Sequence, residues 1–270
     1  MKVAMISLLM ATTIISCNKE ESDSGVVTNF AITGSGQDAV AQSFLQKPFS
    51  WIIPSAVALS PPALEDSNGS VIDLNEAWIV LKKIQFNSSE SDNDVGNANY
   101  SAHYKGPFFI DLLSDTPISL GEIRLPERGL RRVKMLLHKD NNVPASAPAA
   151  LSGKSIYLNG MINTHNFIYV ADDTTDFQIS GPNAVLPEED KDLLAVIRLA
   201  DLLKKIDLSG IVADTTIDSA SRFPAVNPCP LIHAPASDLY TCFVKGIAQA
   251  AKFGKDNGDK DLDSNDDTVN

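Results

Sequence analysis

The chain has 270 residues, 44% hydrophobic and 21% charged, with 34 acidic side chains against 22 lysines and arginines and a formal charge of −12. That is material for one large domain or two small ones, with apolar residues enough for a core. So negative a balance repels phosphate backbones and argues against a nucleic-acid partner.

The N-terminus reads MKVAMISLLMATTIISCNKEE: one basic residue at Lys2, then an apolar run from Val3 to Ile15 interrupted only by Ser7, Thr12 and Thr13. Asn18, Lys19, Glu20 and Glu21 end it. A membrane-spanning helix needs about 20 apolar residues. The run is shorter, and its layout is that of a signal peptide over residues 1–16. Ile14-Ile15-Ser16-Cys17 resembles the bacterial lipobox. The resemblance implies cleavage before Cys17, a lipid on its sulfur and a further acyl chain on its new amino group. Two or more chains hold a protein stably on a bilayer. Asn18 is not the aspartate that marks inner-membrane retention, so a lipid-anchored place in the bacterial cell envelope is expected, at the outer membrane rather than the inner. Cleavage removes Lys2 and no acid, taking the formal charge from −12 to −13.

Residues 17–28 then form a short polar tether. From 29 to about 210 the pattern is that of strands. FAITGSG and FSWIIPSAVAL open it, Pro54 confining the second to an edge or bend. In AWIVLKKIQF, Trp78, Val80, Ile84 and Phe86 share one parity and are expected to line one face, with Lys82 the exception. A long polar segment, NSSESDNDVGNANYSAHYK, leads to GPFFIDLL and PISLGEIRLP. In LRRVKMLLH, Val133, Met135 and Leu137 oppose Arg132, Lys134 and His138; KSIYLNGMI, NFIYV and TDFQIS continue, with Phe177 and Ile179 opposing Asp176, Gln178 and Ser180. Short strands punctuated by Gly, Pro, Asn and Asp predict a mainly β fold, an antiparallel β-sandwich with one or two short helices towards the C-terminus.

LPEEDKDLLAVIRLADLLKKID carries an acidic first turn and helical spacing, yet LLAVIRL within it also reads as a strand feeding a short helix. Periodicity leaves both open. Residues 211–254 are expected to be a helical extension: in SDLYTCFVKGIAQAAKFG, Ser237 or Asp238 caps a helix, Leu239, Cys242, Phe243, Ile247 and Ala250 share a face, and Gly254 ends it. Once Cys17 carries lipid, Cys229 and Cys242 are the remaining pair of cysteines; in an oxidising compartment they predict a disulfide clipping this helix to the preceding loop.

NEAWIVLKKIQF, KGPFFIDLL, LPERGLRRVKMLL and LSGKSIYLNGMI together resemble an uncharacterised family of bacterial lipoproteins with a transthyretin-like, or prealbumin-like, β-sandwich. The resemblance spans about residues 70–210. It implies a fold and an extracytoplasmic address, no catalytic residues, and a strand for LLAVIRL.

The acidic tail, 255–270, sets Asp259, Asp261, Asp263 and Asn265 two residues apart, the alternation by which oxygen ligands surround calcium. Ser264 and Asn270 depart from the EF-hand pattern; a looser calcium turn could use Asp256, Asp259, Asp261, Asp263 and Asp267. The competing reading is a solvated tail, six acids against two lysines. No other cofactor is indicated. His103, His138, His165 and His233 are scattered without metal spacing, and Asp172, Asp173 and Asp176 sit between strands, where aspartate serves its own backbone. No GxSxG, HExxH, phosphate loop or CxxC occurs. Tyr100, His103, Tyr104 and Phe108 are an aromatic-rich group that could stack on a glycan. The expectation is therefore a membrane-anchored binding or structural module, not an enzyme, with a glycan or protein partner. A hydrolase without a recognisable motif and an adhesin are the alternatives.

Overall fold

The computed structural model of the chain describes residues 25–35, 64–87, 100–114, 116–125, 129–188, 191–232, 236–258, 262 and 266–269. The expected signal peptide, most of the expected tether, FSWIIPSAVAL and the segment 88–99 lie outside the described residues.

Two sheets enclose one core. In the smaller, β1 (Val26–Ser35) lies between β10 (Leu193–Arg198), to which it runs parallel, and β5 (Ile118–Leu125), to which it runs antiparallel. β12 (Ala251–Lys255) pairs with the other edge of β10, and β13 (Asp267–Thr268) pairs with β12. All six residues of β10 are buried, as an unbroken apolar run requires of a central strand covered on both faces. LLAVIRL is thus a strand, and it feeds a short helix, α1 (Leu199–Leu203).

The larger sheet is built on β3 (Val71–Asn87), 17 residues rich in β-branched and aromatic side chains and free of glycine and proline. One edge of β3 carries β7 (Ile156–Ile162) and β6 (Leu130–Leu137) end to end. The other edge carries β2 (Leu64–Glu65) and β4 (Tyr100–Asp111). β8 (His165–Ala171) and β11 (Thr215–Ile217) extend the sheet beyond β7, and β9 (Asp176–Val185) extends it beyond β6. The pairings are antiparallel except β1 with β10 and β8 with β11. The expected mainly β architecture is therefore present, with those two parallel pairings added.

The core joins the sheets through aromatic rings. Phe30 of β1 meets Phe86 of β3 edge-on at 5.0 Å and stacks on Tyr104 of β4 at 5.6 Å, and Phe253 of β12 lies 5.9 Å from Phe86. Val133, Met135 and Leu137, and Phe177 and Ile179, face inwards as their alternation predicts.

β3 departs from simple alternation. Its pairing with β6 steps from Leu81 to Lys83 while β6 advances one residue, leaving Lys82 as the extra residue of a bulge; opposite it β4 skips Gly106 and Pro107, and the pairing with β7 skips Asn75. A bulge inverts the facing of everything beyond it. Ile84 and Phe86 share the core with Ile79 and Leu81, while Trp78 and Val80 point to the opposite face. The single face expected for Trp78, Val80, Ile84 and Phe86 is split in two.

The C-terminal helix α2 (Leu239–Ala250) is capped by Asp238, whose Oδ1 accepts the Thr241 N–H at 2.7 Å. Leu239, Cys242, Phe243, Ile247 and Ala250 are its buried face, and Cys242 is bonded to Cys229. The helix stops at Ala250, not Gly254, because Ala251–Lys255 passes directly into the smaller sheet as β12. Lys255, where the acidic tail was expected to start, is the last residue of that strand, and Leu262 and Val269 are fully buried. Among the described residues no helix is long and apolar enough to cross a membrane.

Candidate functional site

Cys17 lies outside the described residues, as do Asp259, Asp261, Asp263 and His233. Asp256 and Asp267, the described members of the expected calcium set, already have partners. The Asp256 Oδ1 accepts the Gly258 N–H at 2.9 Å, and Asp267 pairs with the Lys255 ammonium at 3.0 Å. Lys255 also donates to Glu188 at 2.6 Å. Burial works against its charge, but the bonds to Glu188 and Asp267 outweigh it and raise its pKa. This network floors an open cleft of about 350 Å³ between Leu186 and Thr268. Among the described residues no group of three His, Cys, Asp or Glu side chains is arranged to hold a metal.

The expected glycan-contact group is divided by the strand it occupies. Tyr100 begins β4 opposite Asn87. Tyr104 faces the core: its ring stacks on Phe30, its hydroxyl donates to the Gly121 carbonyl at 2.7 Å, and burial raises its pKa. Phe108 packs against the same core. His103 points the other way into solvent, where burial first, then Lys83 and Lys105, lower its pKa. Asp173 accepts the Tyr240 hydroxyl at 2.6 Å, and Asp176 pairs with Lys134, so both carboxylates brace structure.

Sequence parity missed the outward face of the larger sheet around Trp78. Here the pairings place Val170, Tyr157, Trp78 and Asp111 in one row across β8, β7, β3 and β4, with Ile168, Asn159 and Glu76 in the next. Val80 and Phe109 lie on the other side of Trp78. Leu151, with Val143 and Ala147, covers Val80 and Tyr157 and makes a second, small core. Beyond that cover, Trp78, Phe109, Ile168, Val170, Glu76 and Asn159 are half-buried. Glu76 is held in place: its Oε2 accepts both the Tyr157 hydroxyl and the Asn159 amide, each at 3.1 Å. Burial, then the bond to Glu76, raises the Tyr157 pKa, keeping that hydroxyl a donor. The only signal in the sequence was Lys82, the charge that broke the alternation.

No protein-family model, curated protein or solved structure matches this chain.

Proposed function

We propose that the chain is a lipid-anchored protein of the bacterial cell envelope that acts as a binding or structural module. The observation that carries this reading is the cysteine usage: one cysteine directly after a short apolar leader, and the remaining two bonded to each other. Disulfides persist in oxidising compartments, so the Cys229–Cys242 bond accords with export. Proline on both sides of Cys229 stiffens the loop it closes. The carboxylates and tyrosines near that clip are tied to structural partners, which favours binding over turnover. The likeness to lipoproteins of transthyretin-like fold rests on the strand motifs alone.

Mass spectrometry of the protein from its native host tests the anchor. A chain beginning at an acylated Cys17 is expected. A retained Met1 with a bare thiol at Cys17 overturns the reading.

A further inference from the structure

We propose that the outward face of β3, β4, β7 and β8 around Trp78 binds a neutral polysaccharide chain. This rests on the binding-module reading and supplies its site and its class of ligand.

An outward sheet face in water is ordinarily polar at alternate positions. Here Trp78, Phe109, Ile168 and Val170 are half-buried around Tyr157, which Leu151 covers, and Asp111 lies beside Trp78 in the same row. Tyr157 lies under Leu151, so the part of the row open to a ligand is the neighbouring strip of Trp78 and Asp111 on β3 and β4, with Glu76 beside it. The face exists because bulges at Asn75 and Lys82 invert the strand between them, turning Trp78 out where a regular strand would turn it in.

The polar groups beside the indole supply the rest. Glu76 spends Oε2 on Tyr157 and Asn159, and no partner in the described residues takes its Oε1. Asp111 spends Oδ1 on the Leu113 N–H at 3.0 Å. The Trp78 side chain is half-buried, and its indole nitrogen can only donate. A donor flanked by fixed acceptors suits hydroxyl groups, which donate and accept at once. The apolar C–H face of a sugar ring matches the electron-rich face of an aromatic ring. An anionic polymer meets Asp73, Glu76 and Asp111 on this face and is repelled. A cationic chain would be drawn to the same carboxylates and ring, and it is the rival that the experiment separates.

The test uses the full chain in a polyoxyethylene detergent, which carries no sugar. It is run through native gels containing, in turn, an α-glucan, a β-glucan, a mannan, a xylan or polygalacturonate, and is titrated separately with poly-lysine. At least one neutral polymer is expected to retard it. Trp78→Ala should abolish that retardation. Glu76→Gln, nearly the same shape, should weaken it about tenfold, the loss of one charge-assisted bond. His103→Ala, on the opposite half of β4, should leave it unchanged. Should Trp78→Ala fail to fold by circular dichroism, Glu76→Gln carries the test alone. Binding of poly-lysine only, no retardation by any neutral polymer, or loss with His103→Ala but not with Glu76→Gln overturns the platform. Retardation that survives both platform variants also removes this site, while leaving the binding-module reading intact; a bare Cys17 thiol removes the anchor and leaves the platform untouched.

Discussion

At the scale of single residues, buried carboxylates act as fasteners. Asp66 is 3% exposed, and its Oδ1 accepts the backbone N–H groups of Asn68 and Ser70, at 2.9 and 2.8 Å. Its Oδ2 accepts that of Leu208 at 3.0 Å, tying the β2–β3 turn to the segment after α1. Asp66→Ala removes the acceptor of three donors, but Asn68 is exposed and Ser70 half-buried, so only the buried bond from the Leu208 N–H carries the full cost of about 1–3 kcal/mol. A loss of about 1–3 kcal/mol is expected in urea unfolding, and Asp66→Asn should recover only part of it, because its amide would face the Leu208 N–H. Asp238 gives a pH signature. Burial opposes its charge, but the Thr241 N–H and Arg222 outweigh burial and hold its carboxyl below the usual value. A carboxyl depressed in the folded state stabilises above its unfolded pKa, near 4, and that contribution is lost as pH falls through the folded value. Asp238→Ala should therefore cost about 1 kcal/mol at pH 7. Thermal melts of mutant and wild type should converge as the pH is lowered through and below 4.

At the scale of elements, the strands were legible wherever apolar and polar residues alternate without interruption. Val133, Met135 and Leu137 of β6 and Phe177 and Ile179 of TDFQIS face as their parity demands, and the Asp238 cap and the apolar stripe of α2 follow from local chemistry. β3 was legible as a strand but not in its facing. Parity counts residues, whereas a bulge inserts one that does not count, and only the partner strands reveal it. The outward Trp78 platform was hidden for the same reason: it is assembled from four strands distant in sequence, with no local motif. Lys82 decides the matter experimentally. Lys82→Ala keeps the bulge and should change the melting temperature little, since the side chain is exposed. Deleting Lys82 joins Leu81 to Lys83 in regular register with β6 and forces either Ile79 and Leu81 or Ile84 and Phe86 out of the core. At about 1.5–3 kcal/mol for each large apolar side chain exposed, that is roughly 3–6 kcal/mol. Circular dichroism melts should find the deletion unfolded or severely destabilised beside a near-native Lys82→Ala.

Across the whole molecule, the first and the last long strands of the described residues meet in one sheet. β1 and the C-terminal β12 flank the same central strand, β10, so residues more than 200 apart close one sheet. Such a closure is invisible to local reading. The residues after Gly254 read as a solvated tail because their acids dominate the composition, while the few apolar side chains among them carry the structure. Leu262 sits on Leu194 and Val196 on the outer side of β10, and its carbonyl accepts the Arg198 guanidinium. Val269 is buried in the main core and donates its N–H to the Phe253 carbonyl at 3.0 Å. A solvated tail could be removed at no cost. Truncation after Gly258 instead exposes the places of Leu262 and Val269, loses β13 and strips an acceptor from the nearly buried Arg198. The two aliphatic side chains alone are worth roughly 3–6 kcal/mol, comparable with the whole stability of many domains. The truncated chain is expected to melt far below the intact one and to be cleaved rapidly by protease at 25 °C, whereas Leu262→Ala alone should give an intermediate loss of about 2–4 kcal/mol. Equal melting temperatures for the intact and truncated chains would return the segment to the status of a tail and leave β12 as the true edge of the sheet.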